Sequence, residues 1–329
     1  VERFLYKVQL PFSGVSLSFK ELSTKNQLDI EKLNIFYPQK VDYYLEYHNN
    51  FLKIVESCVE NIEELYHIDI IDYLLFCLKL RIISIGNDLE LQVKSETEKN
   101  KYIKLKIDLQ IFIQNLLISS EQSLTEKELF WEDKNLKVTF GWPNIKSIQK
   151  FYNLYFSDIA FEEKILETIP EFIKEVQIKN NIINFNTLDE NEKEKILYLF
   201  PASIKNQIQE AILKNIKQFS SSDLFEISYF KNQKFNFFNL IYIEIIKLIF
   251  TQNLKRIYEE IFLLSNYHLN SDYILNMSPS ERKIYLSFIE AQRKSQTPPE
   301  NQSINVPTSA GNNRSVEDLA VEFGDAPPN

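Results

Sequence analysis

The chain has 329 residues with a formal net charge of −9, and 44% of its residues are hydrophobic. That acidic balance excludes a general nucleic-acid binder, which neutralises phosphates with clustered Lys and Arg. Only five glycines occur, two of them at 311 and 324, which leaves little capacity for the Gly-rich loops of nucleotide-binding enzymes.

The length fits about two compact units, and two cysteines, Cys58 and Cys77, fit a reducing compartment with no disulfide framework. The start of the chain lacks the basic, apolar and small-residue succession of a signal peptide, so export is not expected and the cytoplasm is the expected location.

Apolar and polar residues alternate over Phe4 to Leu10 and Val15 to Phe19 with Pro11 to Gly14 between, which predicts a hairpin. The pattern turns helical at about Thr24 to Phe36, Val41 to Leu65 and Asp69 to Ile85, the last with Asp69 as cap and Gly86 as stop. Leu89 to Lys94 and Tyr102 to Leu109 alternate around a charged loop, a second hairpin. A strand at Leu136 to Phe140 and a Gly-Trp-Pro turn precede helices at about Asn144 to Tyr155, Asp158 to Ile178, Asp189 to Leu199 and Ala202 to Phe219. A third hairpin is expected at Phe225 to Phe230 and Lys234 to Phe238. The order strand, helices, hairpin thus occurs twice, a weak sign of internal duplication because the residues align poorly.

From Asn239 the chain reads as helical to about Lys294, with breaks near His268 to Ser271 and at Met277 to Pro279. Within it, the apolar run Phe237 to Phe250 is shorter than the roughly 20 residues a membrane span needs and carries Glu244 and Lys247, so it reads as a core helix. Beyond Ser295 the chain is rich in Pro, Asn, Ser and Thr, too polar to offset the entropy of ordering. The expected fold class is therefore α+β, mainly α. It comprises a hairpin-helices-hairpin unit over 1–133, a second unit over 134–238, a helical segment over 239–294 and a disordered acidic tail over 295–329.

No catalytic, cofactor or metal site is expected. His48, His67 and His268 are scattered and none stands four residues from another, and Cys58 and Cys77 sit at apolar helix positions, which suits core packing. Paired acids read as helix starts: Glu162 and Glu163 after Asp158, Asp189 and Glu190 after Thr187 in a capping box, and Thr125 with Glu128 in another. A nucleophile elbow, a P-loop and a dinucleotide fingerprint are all missing, so a hydrolase built on paired carboxylates is the less favoured reading.

Arg81 lies among Leu78, Ile82 and Ile85 on an apolar face; a buried Arg must be paired, which predicts an ion pair or capping contact to the next hairpin. Ser278, Pro279 and Glu281 form a strong helix start, and Arg282 then faces outward or into a neighbouring helix. In the tail, Val316, Leu319, Ala320 and Phe323 share one side of a short helical pattern and are candidates for partner binding, against the plainer reading of a solubilising acidic end.

The segment from Leu254 through Tyr258, Leu263, Tyr267, His268 and Leu269 to Met277, Pro279, Glu281, Arg282, Ile284 and Tyr285 resembles the C-terminal signature of the T-even-type bacteriophage baseplate hub subunit and hub-assembly family. Leu10, Pro11 and Gly14 with Val15, Leu17, Phe19 and Leu22 are similar to that family's opening. Leu78, Lys79, Leu80, Arg81, Ser84, Ile85 and Gly86 are similar to its mid-chain element, so the resemblance spans Val1 to about Gln292. Many members carry Cys pairs in the following hairpin; Gln92 to Tyr102 has none, which excludes zinc there on ligand count.

The resemblance implies a non-enzymatic, chaperone-like assembly protein that binds baseplate hub or tape-measure proteins in the host cytoplasm. Charge, motifs and the apolar run together give the expectation of no cofactor, and of no nucleic acid or membrane as partner. A permanent subunit of the virion baseplate is the alternative.

Overall fold

The computed structural model describes residues 4–36, 44–94, 102–124, 126–155, 161–221 and 246–296. The chain is a mainly helical α+β protein in which short antiparallel strands form two hairpins and one four-stranded sheet among the described residues. It forms two compact units, Val1–Leu286 and Ser287–Asn329.

Strands β1 (Tyr6–Gln9) and β2 (Ser16–Phe19) pair with Tyr6 opposite Phe19. Gly14 closes their loop at φ +69°, a conformation that favours glycine. Helix α1 covers Thr24–Phe36. The single helix expected over 41–65 is instead α2 (Tyr44–Glu56) and a short α3 (Ile62–Leu65). Between them the backbone bonds elsewhere: Val59 bridges to Phe19, and the Asn61 side chain exchanges hydrogen bonds with the Ser16 carbonyl and the Ser18 amide of β2.

Helix α4 (Ile70–Ser84) begins where Asp69 accepts the Asp72 N–H at 2.8 Å and is buried on nearly every side, which makes it the central element. Gly86, at φ +128°, follows its end. Strands β3 (Asp88–Lys94) and β4 (Tyr102–Asp108) then pair with Asp88 opposite Asp108.

The next helix, α5 (Leu109–Ser123), is absent from the sequence expectations; Asp108 caps it by accepting the Gln110 and Ile111 N–H groups. Strands β5 (Glu128–Trp131), β6 (Leu136–Phe140), β7 (Ile173–Ile178) and β8 (Asn181–Asn184) form the antiparallel sheet in that order. Glu128 therefore starts no helix. The β5–β6 turn holds the 133–134 boundary, and both sides of it share one sheet and one core.

Helices α6 (Ile148–Tyr155) and α7 (Phe161–Phe172) connect β6 to β7. The helix expected over 158–178 thus ends at Phe172. A register shift at Thr139/Phe140 places Ile173 opposite Phe140 and Val176 opposite Val138, so both face the core although they are three residues apart. That spacing imitates a helix.

Helix α8 (Glu190–Tyr198) opens on a reciprocal capping box of Asp189 with Glu192, not of Thr187 with Glu190; the Thr187 hydroxyl donates to the Asn184 carbonyl. Helix α9 is Ala202–Ser221. The third hairpin, the start of the helix expected from Asn239, and the tail from residue 297 onward lie outside the described residues, residues 295 and 296 belonging to the last helix. The chain is helical at 246–249, then forms α10 (Leu254–Asn266), α11 (Ser271–Asn276) and α12 (Pro279–Gln296). One apolar core runs from Leu10 through α4, the sheet and α9 to Phe250.

Candidate functional site

The described residues gather their unusual polar chemistry in two places. One is the junction of α1 with α10, α11 and α12. The Thr24 N–H and hydroxyl both donate to the Met277 carbonyl, at 2.8 and 2.9 Å. One residue on, the Ser278 N–H donates to the Glu281 carboxylate at 2.7 Å and the Glu281 N–H to the Ser278 hydroxyl at 3.2 Å. Pro279 begins the helix where no N–H is needed.

That cap aims Arg282 inward. Its buried guanidinium donates to Glu260 at 3.1 Å, to the Gln27 side-chain oxygen at 2.8 Å and to the Thr24 hydroxyl. Burial lowers its pKa and the Glu260 charge opposes that shift. Glu260 also accepts from Arg256 at 3.0 Å. Glu21 joins the same junction to β1 and α12, accepting from the Tyr6 and Ser280 hydroxyls.

Arg81 reaches the junction from the end of α4. It donates to the carbonyls of Ile249 at 2.7 Å, of Gly86 and of Asp88, so it fastens the helix end to β3 through carbonyl oxygens rather than a carboxylate. Burial lowers its pKa to about 10. Arg81 and, far from it in the chain, Pro279 and Arg282 line a single cleft of about 830 Å³. Val316, Leu319, Ala320 and Phe323 lie outside the described residues.

The second place is the start of α4. Asp72 accepts the Phe12 N–H, and the Ser13 N–H and hydroxyl at 2.6 Å each, latching the first hairpin loop to the helix. Lys174 of β7 approaches this pair along Gly141, where an added Cβ would fall 2.4 Å from the Lys174 Cε. Burial, then the neighbouring Asp72 charge, raises the Asp69 pKa to about 7, with Lys174 opposing; burial raises Asp72 and lowers Lys174. Both carboxylates are occupied by backbone donors, which makes the pair a structural latch.

Glu171, whose charge opposes the lowering of the Lys174 pKa, takes Lys150 and Lys193 at 3.5 Å each and the Ser147 hydroxyl. No group of His, Cys, Asp or Glu among the described residues is arranged to hold a metal ion. His48 is buried, and that burial lowers its pKa to about 4.

The residues missed by sequence reasoning are Thr24, Gln27, Gln252 and Glu260 at the junction and Asp72 and Lys174 at the latch. Asp72 alone had a local signal, standing three residues into the helix that Asp69 caps.

Residues 4–224 match the family model described as T4 bacteriophage base plate protein. No curated protein and no solved structure matches the chain. The match contains the opening hairpin and the Leu78 to Gly86 element, and the junction's partner helices α10 to α12 lie beyond it.

Proposed function

The chain belongs to the T4 bacteriophage base plate protein family, and we propose that it works within it by binding other proteins, as a chaperone-like tail-assembly factor for baseplate hub or tape-measure proteins in the host bacterial cytoplasm. Its role on this reading is non-enzymatic and calls on no cofactor. The observation that carries it is a set of large apolar side chains left exposed in adjacent positions on regular elements. Tyr198 and Leu199 at the α8–α9 corner are 82% and 77% exposed, and Tyr258 and Phe262, one turn apart on α10, are 55% and 65% exposed. Large apolar side chains of this kind, the aromatic ones above all, bury much area at low entropic cost when a partner covers them.

No helix among the described residues is long and apolar enough to cross a membrane. A permanent subunit of the virion baseplate would use the same surfaces. Quantitative mass spectrometry of purified particles separates the two: an assembly factor is absent from finished particles, and presence in stoichiometric amount assigns the chain to the structure.

A further inference from the structure

The cleft between α1, α4 and the C-terminal helices has a charge that the rest of the chain does not explain. In a protein of net charge −9 its wall carries four cations, Arg81, Arg256, Arg282 and Lys283. Its three carboxylates are mostly spent: Glu260 holds two of those guanidiniums, and Asp88 is paired with Lys106 at 2.6 Å, leaving Glu90. Arg81 is bound only to carbonyl oxygens, so its charge meets no carboxylate among the described residues. The first turn of α10 opens onto the cleft through Arg256 and Ile257, adding the positive end of that helix.

A second, independent observation concerns Gln252. Arg282 donates to the Gln27 side-chain oxygen, so the Gln27 amide nitrogen must face Gln252, where it donates to the Gln252 oxygen at 2.9 Å. This relay fixes the Gln252 amide the other way round, with its nitrogen buried and without an acceptor among the described residues. Leaving such a donor unmade is costly, and a group bearing an acceptor would satisfy it.

We propose that this cleft is a docking site for an acidic peptide segment of a partner protein, whose carboxylates take Arg256, Lys283 and the Gln252 amide nitrogen. The inference rests on the protein-binding reading above and names its chemistry. A volume of about 830 Å³ admits several residues of an extended chain.

The test uses assembly complexes isolated from infected cells on the tagged full-length chain. Zero-length carbodiimide cross-linking should join Lys283 to an Asp or Glu of another protein, and acetylation of Lys283 should fall at least tenfold relative to the free chain. Lys283→Glu, at an exposed position, should lower partner capture at least tenfold while leaving the melting temperature unchanged, and Gln252→Glu, which keeps the acceptor that Gln27 needs and puts a carboxylate where the donor was, should lower capture as far. If partners co-purify while Lys283 stays fully reactive and both variants capture normally, the cleft assignment is wrong and protein binding stands. Protection of Lys283 by inorganic phosphate alone, with no protein cross-link, would overturn the peptide in favour of a phosphate ligand. If nothing co-purifies, the underlying reading fails and takes this inference with it.

Discussion

The body from Leu10 to Phe250 is held by a continuous apolar core, whereas the helices from Leu254 to Leu286 are fastened to α1 through buried hydrogen bonds and an ion pair. Ile257, Leu264, Ile274 and Met277 are buried too, but outside that core. The two modes of attachment behave differently. Apolar contacts are non-directional and accept volume-conserving replacements, while a desolvated polar joint fixes one geometry and becomes costly once any member is removed. A joint of this second kind suits helices whose outer side lines a cleft, because the position of each donor is determined.

The sharpest way to break the contrast is Arg282→Met, which leaves the half-buried Glu260 with Arg256 as its remaining ion-pair partner and takes a donor from Thr24 and Gln27. The expected loss is about 3–5 kcal/mol. Hydrogen exchange should rise first in α10 and α11, with α4 still protected; uniform exposure of all helices would mean the joint and the body are one cooperative unit. Leu78→Ala, in the fully buried centre of α4, should cost about 2–5 kcal/mol and weaken body and joint together in denaturant melts. A loss confined to α10 and α11 would reverse the contrast.

Smaller changes sharpen it. Ser278→Ala removes the hydroxyl that caps α12 and should cost about 1 kcal/mol, measurable as a shifted urea midpoint with an unchanged slope. A midpoint equal to that of the parent would deny the cap its role.

A further expectation, in the pH dependence of stability, lies at the Asp69–Asp72 latch. Because the folded state raises the Asp69 pKa from 3.8 to about 7, the folded protein holds a proton that the unfolded chain releases in that interval. The stability this contributes is complete below pH 3.8 and is lost as pH rises to about 7, with no further change above. Asp69→Asn keeps an acceptor for the Asp72 N–H and should flatten that decline. Parallel stability curves for the two proteins across this range would place the titration elsewhere.

The same contrast explains what could be read from the chain. The first hairpin, both limits of α1, the Asp69 cap of α4 and the start of α12 are set by residues within a few positions of one another, and they were legible. Strand β7 was not, because a bulge brings Ile173 and Val176 to one face at a helical spacing. Helix α5 followed directly on the alternation of β4, and its one local mark was the cap at Asp108.

At the candidate site, Arg81 could be singled out as a charge on an apolar face, and Arg282 through the helix start beside it. Their meeting in one cleft could not, since Gln27, Arg81, Gln252 and Arg282 are brought together only by the packing of distant helices. No local pattern encodes Gln252, whose meaning depends on the orientation that Arg282 imposes through Gln27.

The central claim, that the chain acts by binding baseplate hub or tape-measure proteins, is tested most directly by isolating the tagged chain from infected cells before particles are complete and weighing the native complex by mass spectrometry. The account predicts a defined complex whose mass is the sum of this chain and a hub or tape-measure protein. Recovery of the chain alone, at the mass of a single tagged copy, would contradict it.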